Sequence, residues 1–516
     1  MPLDIDQTKC LACGICAERC LLDNIRVKMP PCRAACPLGV NCQAYVTLTA
    51  LDRDEDALGY VSDGVALPKT LSYVCTHPCE TACSRGQLDR PLAIRALKRF
   101  LTETAPPRDL DVPPTDGGRV AIVGAGPAGL QAAFSLRLAG HEAAIFDELP
   151  EAGGMMRLGI PDFRLPRAVL DEEIARVADL GVEMRLGQRV GTDVQFDDLR
   201  RDFDAVVLAV GAHLSERLSS QGEGLEGIYY GTDFLRRHHL GETPPVGERV
   251  VVLGGGNVAV DAALVARRLG GRDVRLVCLE SREQMPAFAW ETEQALAEGI
   301  LLTCGWGPKH ILPDGNRVGS VHVRRCASVL DETGRFAPRF DDSTERVLPA
   351  DTLIIAIGQS PDLSFLGEAA GFDLFTGTTL RVDPLTLATR LPGVFAGGDM
   401  VTGPASVVEA MAAGQKAAES IDRQVRGRDL RAGREDASAQ AEVAVPDVEQ
   451  ATVDAAGPPA VGAGALIDAD VARREAQRCL RCGYAYEHYG ECWYCLPCEI
   501  ECPTEALELK LPFLVR

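Results

Sequence analysis

Two glycine-rich turns constrain this chain more than any other feature. Gly124, Gly126 and Gly129 read G-x-G-x-x-G inside RVAIVGAGPAGLQAAFSLRLAG. Gly254, Gly256 and Ala259 read G-x-G-x-x-A inside RVVVLGGGNVAVDAALVARRLGG. An apolar strand-like run precedes each turn and a helical run follows it. The first glycine allows a tight turn, the second lets the backbone approach a pyrophosphate, and the third residue lets helix pack on strand. The diphosphate then lies at the positive end of the helix. Pro127 and Ala128 in the first turn, and Gly255, Asn257 and Val258 in the second, belong to the same cradles. Each unit runs into another strand ending in an acid, Asp147 in HEAAIFDE and Glu280 in VRLVCLE. Such a carboxylate accepts from ribose hydroxyls. At Glu280 it favours a free 2′-hydroxyl over a 2′-phosphate, so NADH is expected rather than NADPH. Arg282, two residues on, is placed to reach a phosphate instead.

The spacing predicts an α/β protein with two Rossmann-like domains, one inserted in the other. The strand-like runs 205–212 and 352–359, the latter ending at Gly358 and Gln359, flank the second unit. FAD-binding parts are expected at 116–240 and 351–425, with a nicotinamide domain at 241–350. A third segment, GVFAGGDMVTGPASVVEAMAAG (393–414), looks like the second flavin signature of two-dinucleotide flavoproteins. There Gly398 and Asp399 form the turn, with Asp399 on the ribityl chain. The helix beginning near Ser406 and Val407 would aim its positive end at the flavin. FAD is thus assigned to the first turn and NAD(H) to the second.

Cysteines occupy the two ends. Cys10, Cys13, Cys16 and Cys20 read C-x-x-C-x-x-C-x-x-x-C, and Cys492, Cys495, Cys498 and Cys502 repeat that spacing, followed by Pro503. This is the ligand spacing of a [4Fe–4S] cluster. Residues 1–30 therefore form a ferredoxin-like arm and 471–516 a ferredoxin-like segment. Ferredoxins with two clusters exchange the fourth cysteine between motifs. The two ends are one split module if they meet in space. Cys479 and Cys482 form another C-x-x-C with no third partner at ordinary spacing, and complete a second cluster or bind zinc. Cys278, Cys304 and Cys326 are expected to be isolated, buried apolar residues. Of the 19 cysteines, the other sixteen suffice for at most four clusters, and three to four are expected.

Residues 31–110 hold six further cysteines and end in LAIRALKRFLTE, where Ile94, Leu97 and Leu101 fall at helical spacing. Proline-rich 105–118 and Ala/Gly/Pro-rich 426–470 are expected as linkers. The apolar fraction of 46% suits a globular chain, and no apolar run is long enough for a membrane span. The N-terminus lacks a basic region followed by an apolar stretch, so a reducing cytoplasm is expected, where clustered cysteines are metal ligands. A net charge of −21 argues against nucleic-acid binding.

These motifs resemble the glutamate synthase β-subunit family of flavoproteins, which is similar to the N-terminal half of dihydropyrimidine dehydrogenase. The resemblance covers roughly residues 31–425 and includes PCRAACPLGV, VCTHPCETAC, GGMMRLGIPDFRLP, SREQMPA and AIGQSPD. It implies an α-helical iron–sulfur domain at 31–110. It also implies FAD contacts from Asp147 through Gly153, Gly154 and Met155, at Arg164 and from Asp399 onward, with Val190 and Gly358 in the same cofactor set. Two-cluster relatives carry a cysteine pair before the position of Cys32, where this chain has Asn24 and Val27, and their glutamine ligand aligns with Lys98. One cluster from Cys36, Cys75, Cys79 and Cys83 is therefore expected in 31–110, with Cys32 or Cys42 as substitutes.

Hydride supplies two electrons and a cluster takes one, so the flavin is the expected converter. No catalytic acid, base or nucleophile is singled out. The chain is expected to be an NADH-linked subunit of a hetero-oligomer exchanging electrons with a redox partner or ferredoxin. The partner would be a glutamate synthase α-like subunit or an oxoacid, aldehyde or sulfur-metabolising oxidoreductase. The alternative is the NADPH-dependent glutamate synthase small subunit itself. A thiol–disulfide flavoenzyme is disfavoured because 250–350 holds no C-x-x-C.

Overall fold

The apolar runs before the glycine turns become central strands of two parallel sheets. The computed structural model describes residues 3–107, 109–218, 224–366, 374–375, 379–434, 443–444, 465–488 and 492–510. The first sheet has the order Val394–Ala396, Ala205–Leu208, Arg119–Val123, Glu142–Asp147, Glu183–Leu186. All its neighbours are parallel. Val120, Ala121 and Ile122 are wholly buried, as in a sheet covered on both faces. The helices Pro127–Leu138 and Val407–Val425 pack together. They close at Gly414, where a Cβ would run into the carbonyl of Ala128.

The second sheet has the order Leu301–Cys304, Asp273–Cys278, Arg249–Leu253, Thr352–Ile355, Ile228–Tyr230. Ile354 lies between Val252 and Tyr229 in parallel register. The expected edges at 240/241 and 350/351 therefore move outward. Strands 228–230 and 352–355 belong to the inserted domain, because a buried apolar run fits either parallel sheet equally well. An antiparallel three-stranded sheet, Trp306–Asp314, Arg317–Leu330 and Phe336–Pro349, extends this domain.

Residues 31–104 form short helices, among them Cys42–Ala50, Asp54–Ser62 and Ile94–Thr104. Ile94, Leu97, Phe100 and Leu101 turn inward, as the spacing predicts. The described part of 105–118 has no helix or strand. Most of the expected 426–470 linker lies outside the described residues.

The two ends of the chain meet. Leu3–Ile5 pairs antiparallel with Leu507–Leu509, and Ile25–Lys28 with Tyr484–Glu487. Leu3, Ile25, Ala485, Leu507 and Leu509 share one small core with Cys10 and Cys498. Among the described residues no helix is long and apolar enough to cross a membrane.

Candidate functional site

Both glycine turns are shaped by their neighbours. At Gly124 (φ +111°) a Cβ would run into the carbonyl of Ala209, and at Gly254 (φ +142°) into that of Ala356. Gly129 packs against the Gly124 carbonyl, and Ala259 is buried in the core behind the second turn. At Gly126 and Gly256, by contrast, a Cβ would meet nothing within 4 Å. The space left open is on the side from which a pyrophosphate approaches a helix N-terminus. The residues thus fit two dinucleotides.

Asp147 holds the first turn. Its carboxylate accepts from the N–H groups of Ala125 (2.7 Å) and Leu149 (2.9 Å). Gly153 donates to the Ala125 carbonyl at 2.9 Å, which lays Gly154 against Gly126. Burial pushes Asp399 up to about 6, although Ala405 N–H donates to it. Ser406 caps the helix Val407–Val425 in a reciprocal pair with Glu409.

One continuous cleft joins the two turns. Gly124, Gly126, Pro127, Ala128, Asp147, Gly154, Met155, Arg164 and Val190 line it from the first domain. Gly398, Asp399, Ser406 and Val407 also belong to that side. Gly254, Gly255, Gly256, Asn257, Val258, Glu280 and Gly358 line the other. A Cβ on Gly255 would lie 2.7 Å from Glu280 Oε2, so this carboxylate sits directly over the turn. Gly129, Gly153 and Ala259 act from behind the walls. Arg282 is exposed on the turn Arg282–Gln284 and does not line the cleft.

Arg164 is more than a wall residue. Its guanidinium pairs with Asp261 at 2.6 Å and with Glu291, tying the two nucleotide domains together. Burial pushes Glu291 up to about 7 against the pull of Arg164. Sequence reasoning missed Phe288, Arg217, Arg236 and Arg324, which line the second half of the cleft from segments without a fingerprint. Phe288 follows SREQMPA, and its N–H donates to Asn257 Oδ1 at 3.0 Å. Cys278 and Cys304, expected to be isolated, are register partners on adjacent parallel strands. Burial and then Cys304 hold the Cys278 thiol far above its ordinary range, so it stays protonated and inert.

The cleft also reaches the helical domain. Ala35, Val74, Thr76, Pro78 and Ala82 line it, and these flank Cys36, Cys75, Cys79 and Cys83. Burial raises Cys36, with Cys79 adding to the shift. Cys79 is raised by its hydrogen bond with Cys42, then by burial, and Cys75 also faces it. Cys42 is buried and hydrogen-bonded to both Cys32 and Cys79, all three being free thiols. Cys83, expected with Cys36, Cys75 and Cys79, also neighbours Cys479 and Cys482.

At the meeting of the termini, Cys10, Cys13, Cys16 and Cys502 line one small cavity. Burial pushes Cys16 up to about 12, with Cys13, Cys10 and Cys502 adding. Cys498 is pushed up to about 11 by burial, then by Cys20, Cys492 and Cys495. Each motif thus faces the last cysteine of the other. The loops are also conformational copies. Ala12 and Tyr494 have φ of 49° and 53°, and Asp23 and Glu505 both have 52°. Backbone N–H groups point at sulfur throughout: Ala12 and Ala485 to Cys10 (3.4 Å each), Asn24 to Cys20 (3.3 Å), Tyr494 to Cys492 (3.2 Å) and Ala506 to Cys502 (3.1 Å). Such bonds stabilise thiolates and tune iron–sulfur potentials. Among the described residues no three His, Cys, Asp or Glu side chains converge closely enough for a single metal ion. A cluster spreads its thiolates wider, one per iron, and the donor set fits that.

The sequence pattern of the pyridine nucleotide-disulphide oxidoreductase family matches residues 118–414. That of dihydropyrimidine dehydrogenase domain II, 4Fe-4S cluster, matches 8–109. The chain is 43% identical over 425 residues to the NADP(+)-dependent formate dehydrogenase subunit beta of Moorella thermoacetica, covering 77% of this chain and 60% of that one. It is 31% identical over 422 residues to the NAD-dependent dihydropyrimidine dehydrogenase subunit PreT of Escherichia coli, covering 80% and 94%. It is 32% identical over 413 residues to the glutamate synthase [NADPH] small chain of Azospirillum brasilense, covering 76% and 86%. The solved structure of Mycobacterium tuberculosis FprA shares the fold at a TM-score of 0.51 and 21% identity, covering 64% of this chain and 88% of that one. The chain spans about 60% of the length of the Moorella relative, and it belongs to the pyridine nucleotide-disulphide oxidoreductase family, within the group that holds the glutamate synthase small chains and the PreT subunits and carries a 4Fe-4S domain.

Proposed function

We propose that the chain is an NADH-linked electron-transfer subunit. FAD is held at the Gly124 turn and by Asp399, NAD(H) at the Gly254 turn, and single electrons leave through cysteine-held [4Fe–4S] clusters to a redox partner. One observation carries the proposal. A single cleft joins both glycine turns to Ala35, Val74, Thr76, Pro78 and Ala82, the chain neighbours of Cys36, Cys75, Cys79 and Cys83, so it would hold a flavin and a nicotinamide with one wall formed by the helical cysteine domain. When bound, the nicotinamide supplies hydride, the flavin converts between two-electron and one-electron transfer, and the clusters carry single electrons.

The chain's own residues do the positioning. Asp147 and Gly153 fix the first turn, and Arg164 ties the two nucleotide domains together through Asp261 and Glu291. Cys36, Cys75 and Cys79, with Cys42 as fourth thiol, would hold the flavin-side cluster. Cys10, Cys13, Cys16 and Cys502 would hold one terminal cluster, and Cys492, Cys495, Cys498 and Cys20 the other. Around this last set Leu21, Trp493 and Ile500 are exposed at 69%, 71% and 74%. An exposed tryptophan beside the final ligands suits docking of a redox protein. A reducing, cytoplasmic setting suits that many thiols.

Glu280 over the second turn favours NADH, since a carboxylate there repels a 2′-phosphate. NADPH is the second reading. Arg217, Arg236 and Arg324 line the same cleft, and the Moorella relative is named for NADP(+). Anaerobic titration of the full chain with NADH and with NADPH, followed by flavin absorbance and cluster EPR, distinguishes them. NADH should reduce flavin and clusters with the higher kcat/KM, and Glu280→Arg should move that ratio at least tenfold toward NADPH. A flavin that NADH bleaches while every cluster stays oxidised would refute the electron-transfer role.

A further inference from the structure

The helix Ala469–Gln477 is anchored far more firmly than a tether's end requires. It packs on the helices Cys42–Ala50 and Ile94–Thr104. Glu475 is wholly buried, accepts from Ala93 N–H at 2.8 Å and pairs with Arg478 at 2.6 Å and Arg90 at 3.4 Å. Arg478 in turn reaches Asp89 at 2.9 Å and the Arg90 carbonyl at 2.7 Å. Arg473 pairs with Asp52 and Asp54. A buried ionic network of this kind specifies one position rather than adding much stability.

What it positions is the C-x-x-C of Cys479 and Cys482. Arg481 takes φ of 51° and donates its N–H to Cys479 Sγ at 3.4 Å. That is the conformation of Ala12 after Cys10, of Tyr494 after Cys492, and of His77 (φ 45°) after Cys75. The pair is therefore folded as a cluster-binding corner, like the three others.

Its partners follow from two matching turns. PCRAAC and PCETAC each place two cysteines four residues apart, the first on and the second just past the helices Pro31–Ala34 and Pro78–Thr81, which pack together. Cys36 neighbours Cys79. The other cysteine of each turn, Cys32 and Cys83, remains for a second site, with Cys32 also in contact with the flavin-side set through Cys42. Cys32, Cys83 and Cys479 all pack against the same core, and Cys83 neighbours both Cys479 and Cys482.

We propose that Cys479 and Cys482 close a four-thiolate [4Fe–4S] site with Cys83 and Cys32, so that the far end of the chain supplies the cysteine pair the helical domain lacks before Cys32. Each thiol loses its proton as iron binds. The site stands between the flavin-side set and the terminal pair. Only Gly483 and Tyr484 separate Cys482 from Ala485, whose N–H donates to Cys10 Sγ. Gln43 clamps this joint, bonding Gly483 N–H at 2.8 Å, the Gly483 carbonyl at 2.7 Å and the Cys10 carbonyl at 3.2 Å. The four sites then run in file from flavin to surface, and the proposed site is the link between the helical domain and the split module.

The inference rests on the electron-transfer reading above, and the experiment separates the two. Full-length Cys479→Ser/Cys482→Ser protein, purified anaerobically, is assayed for iron, zinc, flavin bleaching by NADH and EPR after dithionite or NADH. Iron should fall by about four per chain. Flavin bleaching should persist, and the terminal clusters should be reduced by dithionite but no longer promptly by NADH. Cys83→Ser and Cys32→Ser, placed in the other half of the site, should each remove the same EPR component, which a folding defect at residues 479–482 would not produce. Unchanged iron, one zinc per wild-type chain that vanishes in the double variant, or a different EPR component lost on Cys83→Ser would each overturn the assignment. Loss of flavin bleaching in the wild type would instead sink the electron-transfer reading.

Discussion

The nucleotide-binding middle and the cysteine-bearing ends are both built from repeated motifs, yet they close in opposite ways. Each glycine turn is completed within its own β-α-β unit. Gly124, Gly129 and Asp147 lie within one short stretch, and Asp147 bonds Ala125 in the turn itself. Each terminal cysteine loop is completed by the other end of the chain, as Cys502 joins the Cys10 loop and Cys20 the Cys492 loop. A local motif tolerates changes elsewhere. A motif closed over nearly the whole chain pays a loop-closure cost, which grows only slowly with length, and depends on every anchor between.

The contrast is tested most severely at Gly254. Gly254→Val places a branched side chain against the Ala356 carbonyl at a backbone angle valine rarely adopts. The cost should exceed about 4 kcal/mol, read as loss of soluble, nucleotide-binding protein. Iron should survive in whatever folds, since the ends do not depend on this turn. Gln43→Ala attacks the ends instead. It strips buried partners from Gly483 and Cys10, each worth roughly 1–3 kcal/mol. The thermal midpoint should fall and cluster reduction by NADH should slow, while flavin content stays. An unshifted midpoint would remove Gln43 as the joint.

Gly256→Val is gentler, because nothing in the protein lies within 4 Å of its Cβ. The protein should fold and keep flavin and iron. The KM for the nicotinamide nucleotide should rise at least tenfold, about 1.4 kcal/mol. An unchanged KM would mean that the open space is not where the pyrophosphate lies.

The smallest effect concerns Glu173, where the helical domain docks on the flavin domain. It accepts from the N–H groups of Lys69 (2.6 Å) and Thr70 (2.7 Å), and burial pushes it from its ordinary 4.5 up to about 7. The native state then binds the proton more tightly than the unfolded state. The contribution of Glu173 to stability is therefore fully present below about pH 4.5 and is lost as pH rises through about 7. Glu173→Gln should flatten the fall in thermal midpoint across that window. A slope identical to wild type would show that Glu173 does not titrate there.

Much of the middle was legible because its chemistry is local. Strand, glycine turn, helix and acid recur at fixed spacing, and the cleft gathers Gly126, Asp147, Gly256, Glu280 and Asp399 as that spacing implies. The domain edges were not legible, because 352–355 is apolar on both faces and fits either parallel sheet. Arg164 was expected on the flavin, but its ion pairs with Asp261 and Glu291 are contacts no local pattern encodes. At the ends, the ligand spacing was plain and the meeting of the termini stood as a condition. The partners of Cys479 and Cys482 were hidden, because Cys83 lies almost four hundred residues away in sequence. The one trace was the absence of a pair before Cys32.

The most direct test compares which EPR component disappears in four full-length serine variants: Cys13, Cys20, Cys495 and Cys502. The split module predicts that Cys20→Ser removes the same component as Cys495→Ser, and Cys502→Ser the same as Cys13→Ser. If Cys20→Ser instead matches Cys13→Ser, each end holds its own cluster and the exchange across the termini is wrong.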